Sequence, residues 1–303
     1  MMITEKGIRA SGPQAGSQPI SRVLASAFIL PEEPLIKIRP SRPWSFIDLP
    51  DVWAHRELFY FLVWRDLKVR YKQTLLGALW VILQPGLMTL IFMVFLGMIV
   101  RVPTPGIPYP LFLYAALLPW TFFSNAVASS SYSLVASAHM ITKVYFPRVL
   151  VPAAMVTVRL SDFLIAFVIL VGLVIYYGIH PSWSVLLLPL LVIHLTLLAI
   201  AIGFLLSAVN VKYRDVGTVI PVLLQLWMFA SPIVYPSSMV PQRWKMIYDL
   251  NPLAGIIENF RASLFGLPVN WISMLISGGI TLALLFYSAH VFRQMEDQFA
   301  DVI

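Results

Sequence analysis

Cysteine is absent from the 303-residue sequence, which excludes disulfides, thiolate metal sites and a cysteine nucleophile. Charge is scarce: Asp, Glu, Lys and Arg together account for 12% of residues, against about 25% in soluble domains. That excludes a soluble enzyme, a disordered tail and a nucleic-acid binder. No G-x-x-x-x-G-K-[ST] phosphate loop occurs, so the chain does not bind and hydrolyse ATP by that route. The histidines, His55, His139, His180, His194 and His290, lack metal-ligand spacing, and no Ser-His-Asp triad is present. The 14 acidic residues are dispersed, whereas a membrane-embedded lipid-linked glycosyltransferase needs them clustered at a membrane face. The inverted repeats of a secondary transporter are not visible either.

Apolar residues dominate instead, at 59% of the chain, with a mean hydropathy of +0.82. The fold class that follows is an all-α polytopic membrane protein. Crossing about 30 Å of hydrocarbon takes about 20 predominantly apolar residues. Six segments satisfy this and are expected as transmembrane helices: residues 76–100, 111–136, 149–177, 185–209, 216–235 and 271–292. Residues 1–50 hold seven prolines and only a short apolar run at 23–30, and are expected to form a flexible cytoplasmic leader. Residues 51–303 form the transmembrane domain. It opens with residues 52–74, which combine aromatic rings with Arg56, Arg65, Lys68, Arg70 and Lys72. That composition suits an N-terminal interfacial amphipathic helix, whose rings enter the acyl boundary while its cations meet anionic lipid.

Orientation follows from the cations. Of the 21 Lys and Arg, all but Arg101, Arg243, Lys245 and Arg261 fall on one side of the expected topology. By the positive-inside rule both termini are expected in the cytoplasm.

Polar and aromatic residues within this apolar frame mark candidate sites. Arg159 and Asp162 share a helical face inside the third segment. They read either as a charged element near the cytoplasmic entrance of a pathway or as a self-compensated pair with Arg159 snorkelling. His194, within a span and without a carboxylate one turn away, is expected as a hydrogen-bonded packing residue. The loop from His139 to Arg148 mixes Lys143 and Arg148 with Val144, Tyr145 and Phe146 before Pro147. Apolar residues on a short basic loop need covering, by lipid or by another protein. Tyr109, Phe112, Tyr114, Trp120, Phe122 and Phe123 surround the start of the second span, and Trp227, Phe229 and Tyr235 end the fifth. They read as an interfacial aromatic belt or as a ring-lined exit for sugars, whose C–H faces pack on aromatic rings. Residues 236–268 are too polar to span. Prolines divide them into stretches at 244–250 and 253–265, expected as short outer re-entrant helices over an opening or as a plain amphipathic loop.

Several motifs follow one another in a set order. They are Arg65-Asp-Leu-Lys-Val-Arg-Tyr-Lys72, Leu76-Gly-Ala-Leu-Trp80 with Gln84-Pro85, Lys143-Val-Tyr-Phe-Pro147, Asn210-Val-Lys-Tyr-Arg-Asp215, Ser231-Pro-Ile-Val-Tyr235, Leu250-Asn-Pro252 and the stretch 260–266. In this order they resemble the type-2 ABC-transporter permease family, and within it the exporters of O-antigen, capsule and teichoic acid. The resemblance covers about residues 52–303 and says nothing of the leader. It implies a half-transporter in the bacterial inner membrane, with no cofactor or catalytic residue of its own. A second copy of the chain and two copies of a separate ABC ATPase subunit, which carries ATP and Mg, would complete it. Arg65, Asp66, Lys143, Tyr145, Phe146, Pro147 and Arg148 would lie at the ATPase-coupling surface. The substrate would be an undecaprenyl-diphosphate-linked polysaccharide. Its diphosphate would meet basic residues such as Arg56, Arg65, Arg70 and Arg148, since Arg matches phosphate bidentately. Beyond them the path would run by Tyr109, Phe112, Tyr114, Trp120, Phe123, Trp227 and Tyr235. A type-2 exporter of a drug or small lipid is the alternative.

Overall fold

The computed structural model of the chain describes residues 49–72, 79–100, 106–180, 182–296 and 299. Eleven α-helices and no strand occur among these residues. Almost all of the expected leader, the first three residues of the first expected span and the Leu76-Gly-Ala part of its motif lie outside the described residues.

Two helices precede the spans: α1 (Leu49–Ala54) and α2 (Arg56–Lys72). Leu62 of α2 belongs to a buried cluster with Leu150, Val151 and Ala154, and further along Tyr71 bonds Asp162. The apolar side chains of α2 are not segregated to one face, as a purely amphipathic helix would have them. Leu62 faces inward while Tyr60, Phe61 and Trp64 are exposed. The first span is α3 (Leu79–Phe92), continued to Val100 by wider π-helical turns. Then come α4 (Tyr109–Ala136), the short α5 (Ala138–Ile141), α6 (Leu150–Tyr176) and α7 (Leu188–Lys212), the last entered through a 3-10 turn at Trp183–Leu187. With α11 (Trp271–Glu296), five helical segments among the described residues are long and apolar enough to cross a membrane.

The bundle is organised around α4. Within its apolar 18-residue stretch 78% of residues are buried in protein, against 11% for the corresponding stretch of Leu79–Val100, so α3 presents most of its apolar surface outward. Composition explains the difference. Residues 126–133 of α4 read Ala-Val-Ala-Ser-Ser-Ser-Tyr-Ser, and small residues let helix backbones approach where lipid supplies no hydrophobic drive between helices. Gly203 of α7 sits so close that a Cβ there would lie 2.8 Å from Ser130 Cβ. Ser130 in turn donates to the Pro152 carbonyl of α6 at 3.3 Å.

The fifth expected span, 216–235, is not helical throughout. It is α8 (Asp215–Phe229), a 15-residue helix of about 22 Å, short of the roughly 30 Å hydrocarbon core. Beyond Ala230 the backbone turns irregular and Ser231, Ile233 and Val234 stay buried. Irregular backbone inside such a fold needs internal hydrogen-bond partners, and the next two helices supply them. These are α9 (Gln242–Asp249) and α10 (Pro252–Phe265), close to the two short helices expected. Asn251 caps α10 by accepting from the Leu253 amide, Pro252 occupies its first turn, and Gly266 ends it at φ 67°. Nearly every residue of α10 is buried against neighbouring helices, so the connection is packed into the helical bundle and is not a surface loop.

Candidate functional site

Three places bear the polar and aromatic residues singled out in the sequence. The first lies where α2, α3, α4 and α6 converge. Asp162 stands near the middle of α6, and its closest partners come from α2. Tyr71 donates its hydroxyl to Oδ1 at 2.6 Å, and Arg70 Nη2 lies 2.9 Å from Oδ2. Arg159, the partner expected from spacing, is farther from the same oxygen, at 3.5 Å. It also donates through Nε and Nη2 to Ser129 of α4, at 2.8 and 2.6 Å. The expected i, i+3 pair is present, but the carboxylate also serves Arg70, so it joins α6 to α2, while Arg159 reaches α4 through Ser129. Burial first, then the hydrogen bond and charge of Asp162, hold the Tyr71 hydroxyl well above the ordinary phenol range. Local spacing could not reveal Tyr71 as a partner, because 91 residues separate it from Asp162.

The other basic residues do not join this cluster. Arg65 is paired with its neighbour Asp66 at 2.8 Å. Arg56 lies over the Trp53 ring at 5.9 Å, beside an apolar cavity of about 320 Å³ lined by Phe59, Val149, Ala153 and Phe204. Arg56 and Arg70 are 14 positions apart on α2, about 21 Å along the axis, so they do not grip one headgroup together.

The second place is the loop after α5, whose residues divide sharply. Tyr145 is 87% exposed, with Lys143 and Val144 exposed beside it, while Phe146 is 4% exposed and anchors the loop in the core. Arg148 is engaged with the end of α11. Its amide donates to Glu296 Oε1 at 3.1 Å and its guanidinium donates to the Glu296 carbonyl. Glu296 also pairs with Arg293 at 2.8 Å. Of the loop residues expected at a docking surface, Lys143 and Tyr145 are the ones presented outward.

The third place is an open cavity of about 740 Å³ between the end of α8 and α9–α10, lined by Trp227, Tyr235, Trp244, Tyr248 and Asn251. Asn251 is its hub. Besides capping α10, its side chain accepts from Trp227 Nε1 at 3.0 Å and donates to Ser231 Oγ at 2.9 Å and the Ala230 carbonyl at 3.3 Å. Behind it, buried Arg261 donates to the carbonyls of Phe112, Pro232 and Ile233 at 3.1, 2.6 and 2.6 Å, with its guanidinium 3.6 Å from the Phe112 ring centre. These bonds satisfy the irregular backbone after α8. Tyr109 ties to the same turn, donating to the Val234 carbonyl at 3.1 Å. Burial, followed by the Glu258 charge, raises the Tyr248 hydroxyl above its ordinary value.

Of the expected path residues, Trp227 and Tyr235 line this cavity. Phe112, Tyr114, Trp120 and Phe123 are instead buried in the core of the protomer. Tyr114 donates to the Ala166 carbonyl at 3.2 Å, and Phe123 meets Trp227 edge-on at 5.3 Å. They support the wall and do not face the opening. Trp244 and Tyr248 were not among the expected residues, although their i, i+4 spacing on α9 is a readable sign of a shared face. His194 bonds Thr281 Oγ1 at 3.0 Å across to α11, which is the packing role expected of it.

The profile of the ABC-2 type transporter family matches residues 57–265. The chain is 29% identical over 256 residues to the O-antigen export system permease protein RfbA of Myxococcus xanthus, covering 84% of this chain and 98% of that one. It is 31% identical over 253 residues to the protein of that name in Klebsiella pneumoniae, covering 82% and 95%. The polysialic acid transport protein KpsM of Escherichia coli is 25% identical over 251 residues, covering 77% and 91%.

Proposed function

The chain belongs to the ABC-2 type transporter family, and from that premise we propose that it is the channel-forming permease of an ATP-driven exporter of surface polysaccharide. The carrying observation is that relatives named O-antigen export permeases are matched along 95–98% of their length. The polymer is lipid-linked, on undecaprenyl diphosphate, and passes outward from the cytoplasmic side of the bacterial inner membrane. Both termini and the Lys143–Tyr145 surface are cytoplasmic, and the aromatic cavity is outer. Two copies of the chain form the path, and two ABC ATPase subunits, holding ATP and Mg, dock on the basic side. The geometry supports this reading at both ends. One end presents an exposed cation and ring on a loop anchored by Phe146, suited to a protein partner. The other opens a cavity lined by four aromatic rings, whose faces pack on the apolar faces of sugar rings while hydroxyls stay wet.

The test is a strain lacking this gene, examined for surface O-antigen or capsule by gel and antibody. Loss of surface polymer with accumulation inside the cell, reversed by the gene, is expected. Normal surface polymer in the deletion strain would overturn the reading.

A further inference from the structure

Where α1 and α2 meet the start of α6, the fold leaves the cavity of about 320 Å³ beside Arg56, a volume typical of ligand pockets. Its lining changes with depth. Val149, Leu150 and Phe204 are buried in the core and form the floor, with Ala153 half-buried beside them. Trp53, 72% exposed, and Arg56, also exposed, stand at the mouth. A water on that floor finds no hydrogen-bond partner, and apolar cavities stay dry. Left empty, the cavity forfeits the dispersion contacts of its walls. Arg56 is the one charged residue in the lining, and among the described residues no acid pairs with it. Its guanidinium reaches the Trp53 ring and, at 3.5 Å, the Trp53 carbonyl. Asp51 is taken by His55 at 3.3 Å, and Glu57, one position on, does not share the helical face of Arg56. Trp53, Tyr60, Phe61 and Trp64 are exposed along the same two helices, which suits the level of lipid headgroups.

We propose that this cavity holds one alkyl chain of an anionic glycerophospholipid, whose phosphodiester sits on Arg56 at the mouth. The gradient from apolar floor to cationic rim is that of such a lipid, and Arg is suited to phosphate oxygens. One cation answers the single charge of a phosphodiester. A polyprenyl diphosphate carries more charge, and the next arginine along α2, Arg65, is already paired with Asp66. A zwitterionic headgroup brings its own cation and gains less from Arg56. The bound chain fills the gap between α1–α2 and α6–α7, so lipid charge governs how firmly the helices before the spans are seated. The site needs only that α1 and α2 lie at the membrane surface, and it stands apart from the export reading.

The test uses the full chain in dodecyl maltoside, titrated separately with phosphatidylglycerol, phosphatidylcholine and undecaprenyl phosphate. Native mass spectrometry counts the lipids retained per chain, and a thermal scan reads the unfolding midpoint. One phosphatidylglycerol per chain is expected, retained about fivefold better than phosphatidylcholine, the factor that one surface cation supplies. It also raises the midpoint, because it binds the folded chain alone. Arg56→Gln abolishes the preference between the two headgroups. Ala153→Leu fills the floor and lowers retention of both. Arg56 is exposed, so its variant keeps the test open should the overpacked one misfold. Lys68→Gln, at an exposed position farther along α2, leaves the preference in place. If Lys68→Gln erases it as Arg56→Gln does, or if wild type retains both phospholipids equally, the attraction is diffuse and the proposal falls. Tighter retention of undecaprenyl phosphate, lost in Ala153→Leu, would give the cavity to a polyprenyl carrier and overturn the assignment. No retained lipid would mean that protein, from residues 1–48 or from a second copy, covers the mouth, and would overturn it as well.

Discussion

At the scale of single residues, neighbours in the sequence have opposite fates. Tyr145 is 87% exposed and Phe146 4% exposed, so substitutions there should separate docking from folding. On the proposed reading, Lys143→Glu with Tyr145→Ala lowers co-purification of the ATPase subunit while leaving the thermal midpoint of the detergent-solubilised chain unchanged. Phe146→Ala does the reverse, costing about 3 kcal/mol by emptying a buried ring site. Arg148, tied to Glu296, groups with Phe146 in this comparison. Arg261 gives a second prediction. Replacing it with Met strips three carbonyls of their donor and should cost at least about 3 kcal/mol, read as a lower unfolding midpoint. Arg261→Lys recovers only part, because an ammonium lacks the planar fork. Neither role was legible in the sequence. Positive-inside counting treats every Arg alike, whereas a bond to a carbonyl 149 positions away exists only once the chain has folded back on itself.

At the scale of elements, hydropathy was the reliable guide. Five of six expected spans lie within a few residues of the helices that form, because an apolar run of that length has few other solutions in lipid. The exception, 216–235, is as apolar as the rest. It stops being helical at Phe229 because Arg261 and Asn251 offer its backbone other partners, which no hydropathy window registers. Close approach between helices is equally hidden. Gly203→Val is expected to push α7 from α4 and cost about 1–3 kcal/mol, measured as a fall in the midpoint. Adding Ser130→Gly in the same chain should return much of it, since Ser130 is the group the new side chain meets. A full loss with no recovery would place the clash elsewhere.

At the scale of the molecule, the two ends differ in chemistry, and the aromatic residues singled out in the sequence divide between the protomer core and the open cavity. Four of these rings are buried in the core, and Trp244 and Tyr248 join Trp227 and Tyr235 in lining the cavity. If the polymer passes Trp227 and Tyr235 between two copies of the chain, α8 faces the seam. The lack of cysteine makes this testable with a single introduced thiol. Leu226→Cys, 61% exposed on α8, should form a disulfide dimer under mild oxidant in membranes, and Ile175→Cys, 72% exposed on α6, should not. The reverse pattern would move the seam. The aromatic cavity has a pharmacological consequence as well. Its hub, Asn251, joins the end of α8 to the start of α10, so a small planar amphiphile wedged against Trp227 and Trp244 would jam both helices at once. On the proposed orientation such an inhibitor would act from the outer face, beyond the reach of cytoplasmic detoxifying enzymes.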